Sequence, residues 1–241
     1  MKNKKVLIFL ITYKAKKRVV KAFNGIPFKK LKKYVVDVLI SDDASNDKTV
    51  DYIKGIRGKN VIKKFNKINL GYGGNIKKCL KYSLNNDYDY AIMLHGDAQY
   101  HPRYIPSMLK KIQSNPKIKA VTGSRMKNKK DALKGRMPIY KFIGNILLTK
   151  ITNILLRSNF SDCHTGYWLY STNALKKINI NDMTNSLNFD QQMRFKFIKK
   201  KLLISEIPIK TIYGEERSSV HLLYAIKYFL KLLYFYLFQR Y

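Results

Sequence analysis

Acidic residues are scarce in this chain of 241 residues, where 15 Asp and Glu stand against 48 Lys and Arg. The resulting net charge of +33 favours partners that carry phosphate, or an anionic membrane surface. Charge alone does not distinguish these partners, because lysines spread over solvated faces give the same total. The charge therefore narrows the class of partner without identifying it.

Cysteine and long apolar runs are also scarce. Cys79 and Cys163 lack CxxC spacing, which argues against a disulfide framework or a zinc site and favours a reducing cytosol. We find no uncharged apolar stretch of about 18 residues, so we expect no ordinary transmembrane helix. The apolar run near the amino terminus spans about seven residues and is followed by lysines instead of a cleavage site, which predicts a buried strand and not a signal peptide.

No internal repeat and no Pro- or Ser-rich linker divides the sequence, whose length fits one α/β domain. Apolar runs at Val6 to Ile11, Val35 to Ile40 and Tyr90 to Leu94 are typical of parallel strands buried on both faces, and helical patterns separate them. This alternation predicts a Rossmann-like, mainly parallel sheet flanked by helices. Ligands of such sheets bind beyond the carboxyl ends of the strands, where each of these runs is followed by polar residues.

Two later segments, Pro138 to Leu156 and Val220 to Tyr241, combine a wide apolar surface with basic residues. In the second segment, Lys227 and Lys231 lie four apart on one helical face. We expect both segments to lie in a membrane interface, with a catalytic domain over residues 1–217 and an amphipathic interfacial helix over residues 218–241. The alternative is a carboxyl-terminal helix that packs on the catalytic domain or forms a dimer contact.

The sequence LHGDAQYHP follows the predicted strand that ends at Leu94. An acidic residue directly after a buried strand is placed to hold a divalent cation that bridges a diphosphate, which makes Asp97 the candidate ligand. The alternative is that Asp97 only caps the helix that begins after Pro102.

Four segments at predicted strand ends, LITYKAK, SDDAS, NLGYGGN and HGDAQ, occur in an order that resembles glycosyltransferase family 2, which has the GT-A fold. Within that family the chain is similar to the polyprenyl-phosphate sugar transferases related to dolichyl-phosphate mannose synthase. The resemblance implies a nucleotide-sugar site that includes Thr12, Tyr13, Asp42, Asp43, Ser45, Asn69, Gly71 and Gly74.

The resemblance also implies a bound Mg or Mn ion, held at the family's DxD element by His95, Asp97 and Gln99. His95 stands where the family has its first acidic residue. This exchange removes one negative charge, although imidazole remains a competent ligand for manganese-like ions. We therefore expect a cation that is bound more weakly, or one of a different identity.

Later segments imply the remaining site residues. Arg125, in GSR, and Arg217, near the carboxyl end, correspond to family residues that reach phosphate. Asp190 takes the place of the general base of many inverting members. Trp168 replaces the Arg of the family's acceptor loop, which leaves an acceptor phosphate with one fewer cation.

The resemblance, together with the two basic apolar segments, implies an inverting, metal-dependent hexosyltransferase, peripheral on the cytoplasmic face of a membrane. A cation at Asp97 together with Arg125 and Arg217 would stabilise the leaving diphosphate. A sugar hydroxyl as acceptor needs a base such as Asp190, whereas polyprenyl phosphate is already anionic, so the acceptor is either a lipid phosphate or a saccharide of the cell surface.

Two other functions would also explain a basic α/β protein. A nucleic-acid-binding protein fits the charge and the many tyrosines, but the polar clusters lie at strand ends and no nucleic-acid-binding motif is recognisable, so we expect no nucleic-acid partner. A nucleotidyltransferase would need a glycine-rich loop after the first strand, and residues 12–17 contain no glycine.

Overall fold

The computed structural model describes residues 3–211, 213 and 234, and these residues build one seven-stranded sheet with helices on both faces. The strands are β1 (Lys5–Thr12), β2 (Val35–Asp42), β3 (Val61–Phe65), β4 (Tyr90–His95), β5 (Ile118–Ser124), β6 (Trp168–Ser171) and β7 (Leu203–Pro208). Their order across the sheet is β3-β2-β1-β4-β6-β5-β7. All neighbouring strands are parallel except β6, which is antiparallel to both β4 and β5. The predicted mainly parallel α/β sheet is therefore confirmed.

The helices follow the strands in the order expected for this architecture. They are α1 (Arg18–Asn24), α2 (Thr49–Gly55), α3 (Tyr72–Asn85), α4 (Ile105–Gln113), α5 (Lys129–Lys134), α6 (Ile139–Leu156), α7 (Thr172–Leu175) and α8 (Phe189–Lys199). Short 3-10 turns cover Phe28–Leu31 and Pro102–Tyr104. Helix α3 begins at Tyr72, which is therefore the first residue of the helix.

The continuous apolar run of β1 is explained by burial on both faces of the sheet. Val6, Ile8 and Leu10 belong to the core on one face, and Leu7 and Phe9 to the core on the other. Successive side chains of a strand point to opposite faces, so a central strand covered on both sides needs an apolar residue at every position.

Strand register brings the polar strand ends to one edge of the sheet. Thr12 pairs with Asp42 across β1 and β2, and Ile11 pairs with His95 across β1 and β4. The residues that follow these three strands therefore gather at a common carboxyl edge, as the sequence predicted for the ligand site.

Helix α6 has an unusual distribution of polarity. Its buried positions include the polar residues Asn145, Thr149 and Thr152. Its exposed positions carry large apolar side chains that are 57% to 70% exposed, namely Ile139, Ile143, Leu147 and Ile154. Among residues 3–211, α6 is the one helix long and apolar enough to cross a membrane by length and composition, although it contains Lys141 and Lys150.

The carboxyl-terminal predictions lie outside the described residues. Arg217 and the interfacial helix expected over residues 218–241 belong to this region, in which only Tyr234 is described, as an exposed helical residue. The domain boundary at residue 217 remains a prediction.

Candidate active site

A cavity of about 1220 Å³ opens over the carboxyl edge of the sheet. Its walls come from the ends of β1 and β4, the start of α3, the amino-terminal half of α6 and the first residues of α8. The cavity brings together most of the residues predicted for the site: Thr12, Tyr13, Asp43, Asn69, Gly71, His95, Asp97, Gln99, Arg125 and Asp190. Its lining does not include three other predicted residues, Asp42, Ser45 and Gly74.

Asp42 and Ser45 organise the turn after β2. The buried Asp42 carboxylate accepts hydrogen bonds from the Ser45 backbone N–H at 2.9 Å, from Ser45 Oγ at 2.7 Å and from Thr12 Oγ1 at 3.2 Å. These contacts close the turn on itself and join it to β1. The structure therefore gives Asp42 a role in holding this turn, and its contact with the nucleotide stays a prediction.

Asp43 joins this turn to the segment before α3. Its Oδ1 accepts from Asn66 Nδ2 at 2.8 Å and from the Leu70 backbone N–H at 2.9 Å. The following Gly71 has a φ of +77°, and a Cβ there would lie 2.7 Å from the Asn185 carbonyl oxygen. Glycine is needed at this position for both its conformation and its close approach to the neighbouring loop.

Strand β4 ends at His95, and the cavity is lined by His95 and by Asp97 and Gln99, which follow it. Asp97 Oδ1 accepts from the Gln99 backbone N–H at 2.9 Å, which fixes the turn around Asp97. Burial lowers the pKa of His95, even though the nearby Asp97 charge acts in the opposite direction. The imidazole is therefore neutral at pH 7, and the negative charge of this strand end comes from Asp97.

The three side chains at this strand end could act as ligands for only some kinds of cation. Within residues 3–211, no group of three or more His, Cys, Asp or Glu side chains is arranged to hold a metal ion. One carboxylate with a neighbouring imidazole and amide cannot form a protein-only cage. The set fits a cation such as Mg²⁺, which commonly uses one or two carboxylates and completes its shell with substrate phosphates and water.

Tyr72, His95 and Asp190 are joined through one hydroxyl group. The Tyr72 hydroxyl donates to Asp190 Oδ2 at 2.7 Å and lies 3.2 Å from His95 Nε2. The other oxygen of Asp190, Oδ1, is buried and has no hydrogen-bond partner among the described residues. Burial raises the pKa of Asp190 to about 7, while the Tyr72 hydrogen bond and the Arg194 charge both act to lower it. A carboxyl with this pKa is suited to take a proton near neutral pH.

Arg125 borders the cavity but is already bound by a carboxylate. Its Nε lies 2.7 Å from Asp162 Oδ2 and its Nη2 lies 3.0 Å from Asp162 Oδ1, which makes a two-pronged ion pair. Burial opposes the charged form of Asp162, but the Arg125 guanidinium outweighs it and holds the pKa of that carboxyl well below its usual range. The predicted contact of Arg125 with phosphate must therefore use an N–H group of the guanidinium that Asp162 does not bind.

Trp168 lies in the core and not in the cavity wall. It is fully buried, stacks on Tyr170 and donates its indole N–H to the Thr165 carbonyl oxygen at 3.0 Å. The buried guanidinium of Arg194 lies over the Trp168 ring at 4.9 Å and over the Phe160 ring at 4.4 Å. Trp168 therefore contributes aromatic packing at the position where the family that the sequence resembles has an Arg in its acceptor loop.

The far side of the cavity, next to α6, is basic. Lys134, Lys141 and Lys210 all border it. Burial lowers the pKa of Lys141, and the nearby Arg125 charge lowers it further. Lys210 is paired with Asp131 at 3.3 Å. This concentration of cations beside α6 suits an anionic group of a second substrate.

The motifs did not single out several residues that define the cavity. Tyr72 and Asp162 lay inside recognised segments, but the resemblance assigned no role to either. Lys141 lies in the segment Pro138 to Leu156, for which the sequence predicted a membrane interface and no role in the site. Their roles in the cavity depend on contacts to β4, α8 and β5, and these contacts cannot be predicted from the local sequence.

The strand order, with an antiparallel β6 inserted in a parallel sheet and a cavity over the carboxyl edge, defines a GT-A glycosyltransferase fold. The sequence profile of glycosyl transferase family 2 matches residues 7–179, and the chain belongs to this family. The family and fold predicted from the motifs are confirmed.

Curated relatives cover most of the chain. An uncharacterized protein of Methanocaldococcus jannaschii is 34% identical over 209 residues, which are 83% of this chain and 83% of that protein. The UDP-N-acetylglucosamine–dolichyl-phosphate N-acetylglucosaminyltransferase of Methanococcus voltae is 28% identical over 230 residues, covering 89% and 88% of the two chains.

Solved structures agree in fold. The glucosyl-3-phosphoglycerate synthase of Mycobacterium tuberculosis, crystallised with Mn²⁺, UDP and phosphoglyceric acid, superposes with a TM-score of 0.71. The match covers 97% of this chain and 78% of that chain. At 13% identity this likeness establishes the architecture and no more.

Proposed function

We propose that the protein transfers a sugar, with inversion, from a nucleoside-diphosphate sugar to polyprenyl phosphate at a membrane surface. The proposal is based on one cavity that reaches from the carboxyl edge of the sheet to α6. This helix has polar residues buried and apolar residues exposed. One end of the cavity suits a nucleotide, and the other end opens beside a surface that suits lipid.

The nucleotide-sugar would bind at the end of the cavity over the strand ends. The turns that carry Asp43 and Gly71 support this placement, because a hydrogen bond and a close backbone approach hold them in position. Asp97 lies next to them in the same cavity. A divalent cation bound there would neutralise charge on the leaving diphosphate. Asp97 would hold that cation, with His95 and Gln99 beside it, and the crystallisation of the M. tuberculosis synthase with UDP and Mn²⁺ agrees with a nucleotide and a cation in a protein of this fold.

The acceptor end is supported by Lys134 and Lys141, which supply positive charge next to α6. A phosphate on a lipid chain could lie at these cations while the chain follows the exposed apolar face of α6. The M. voltae relative acts on a dolichyl phosphate, as its name states, and this agrees with such an acceptor. The protein would then be peripheral, on the cytoplasmic face, and attracted to anionic lipid by its net charge of +33.

Within this proposal the chain itself performs three tasks. The turns after β1, β2 and β4 bind and orient the nucleotide. The buried walls around Asp190 exclude water from the reacting sugar. The basic residues beside α6 position the phosphate, which is already a nucleophile and needs no base.

A second candidate is transfer to a saccharide hydroxyl. It is favoured by Asp190, whose pKa of about 7 and unpartnered Oδ1 suit a group that accepts a proton from a hydroxyl. The two candidates share the donor site and differ only in the acceptor.

The test is a matrix of nucleotide-sugars against polyprenyl phosphate and saccharide acceptors, read as acceptor-dependent release of nucleoside diphosphate by the full chain. We expect release with one donor and polyprenyl phosphate. Release only with saccharides would support the second candidate, and no release with any pair would contradict both.

A further inference from the structure

The Tyr72 side chain borders the cavity. Tyr72 begins α3, His95 ends β4 and Asp190 lies in the first turn of α8, so one hydroxyl joins three separate elements. The Tyr72 and His95 rings meet edge to face, with centroids 5.6 Å apart. We call the contact of these three side chains the hydroxyl bridge.

The number of protons in the hydroxyl bridge fixes its directions. A phenol has one hydrogen, and at 2.7 Å it is donated to the Asp190 carboxylate. When Asp190 is ionised, the hydroxyl oxygen is left to accept from His95, which requires the tautomer that carries its hydrogen on Nε2.

Gly166 closes over the hydroxyl bridge from the acceptor loop. A Cβ at Gly166 would lie 2.7 Å from His95 Nε2 and 2.8 Å from the Tyr72 hydroxyl. Only a hydrogen atom fits in this space. The bridge is therefore enclosed by protein on the side of the acceptor loop.

We propose that Tyr72 is a positioning residue, which holds Asp190 by Oδ2 so that the unpartnered Oδ1 is left for the acceptor. The inference rests on the proposed function in its second form, transfer to a saccharide hydroxyl, because a hydroxyl acceptor is the one that needs Asp190 as a base. It goes further by assigning the alignment of that base to a single hydroxyl group.

The first test is kinetic and uses Tyr72→Phe in the full chain, since this change keeps the ring and removes only the hydroxyl. With a saccharide acceptor we expect kcat to fall about 10- to 100-fold, the usual cost of a small misalignment, with the KM for the nucleotide-sugar unchanged. Tyr82→Phe makes the same change on the same helix, outside the cavity lining, and should leave kcat unchanged. In an Asp190→Ala chain the Tyr72→Phe change should cost nothing further. An equal loss with and without Asp190, or a loss expressed in the donor KM, would overturn the inference.

The second test does not depend on activity. At about pH 8, Tyr72→Phe should lower the thermal unfolding midpoint by about 3 °C, because it removes a hydrogen bond to a buried charge. The same change should lower the midpoint of an Asp190→Ala chain by less than about 1 °C. Equal shifts in both chains would show that Tyr72 only packs, and would overturn the inference. Failure of the wild-type chain to transfer any sugar would count against the proposed function alone.

Discussion

Replacing Asp190 by Asn should lower the activity of the protein and should also make its stability less sensitive to rising pH. Burial raises the pKa of this carboxyl from an ordinary 3.8 to about 7 in the folded chain. The folded state therefore binds the proton more tightly than the unfolded state. A raised carboxyl pKa means that stability is lost as pH rises from about 4 to about 7, since the unfolded chain ionises first.

The size of this effect follows from the two pKa values. Between about pH 5 and about pH 8, ionisation of Asp190 should lower the free energy of unfolding by about 2 to 3 kcal/mol. Asn has a similar shape and no proton to lose in this range, so the Asp190→Asn chain should lack this part of the pH dependence. Most other titrating groups are common to both chains and cancel in the comparison.

The assay is urea unfolding of wild-type and Asp190→Asn chains at the two pH values. The quantity of interest is the change in the wild-type free energy of unfolding minus the change in the variant. Parallel changes in the two chains would refute the assignment of a raised pKa to Asp190. In transfer assays the same variant should lose about 10²- to 10⁴-fold in turnover with a hydroxyl acceptor and much less with a lipid phosphate.

Three further predictions concern the cation, the bridge and the membrane. Asp97→Ala, or excess chelator, should abolish release of nucleoside diphosphate, and full activity in either case would refute the cation site. Gly166→Ala would place a Cβ 2.7 Å and 2.8 Å from two atoms of the hydroxyl bridge, so kcat should fall about tenfold or more, and a wild-type kcat would contradict that crowding. Ile143→Ser with Leu147→Ser should weaken flotation with anionic liposomes about thirtyfold, from about 1 kcal/mol lost at each half-exposed side chain. Leu203→Ser, at a side chain that is 47% exposed at the amino end of β7, is the control, and equal flotation of all three chains would refute an α6 interface.

The sequence predicted the sheet well because the governing signals are local. Continuous apolar runs such as Val6 to Ile11 mark strands buried on both faces, and polar strand ends mark the ligand edge. The motifs predicted which segments line the cavity, and ten of their residues do so.

The same motifs could not predict which side chains within each segment reach the cavity. Asp42 and Asp43 are adjacent, yet one is tied into its own turn and the other borders the cavity. The Asp162 contact of Arg125 and the Tyr72 contact of Asp190 join residues that are 37 and 118 positions apart. Such pairings depend on how loops cross the sheet edge, and local spacing does not encode them.

Extraction of labelled product tests whether the sugar is transferred to a lipid phosphate. The full chain is incubated with a radiolabelled nucleotide-sugar, a divalent cation and liposomes that contain either polyprenyl phosphate or the matching polyprenol without phosphate. We expect label in the organic phase with polyprenyl phosphate and none with polyprenol. Label that remains in the aqueous phase, while a saccharide acceptor becomes labelled, would contradict this expectation.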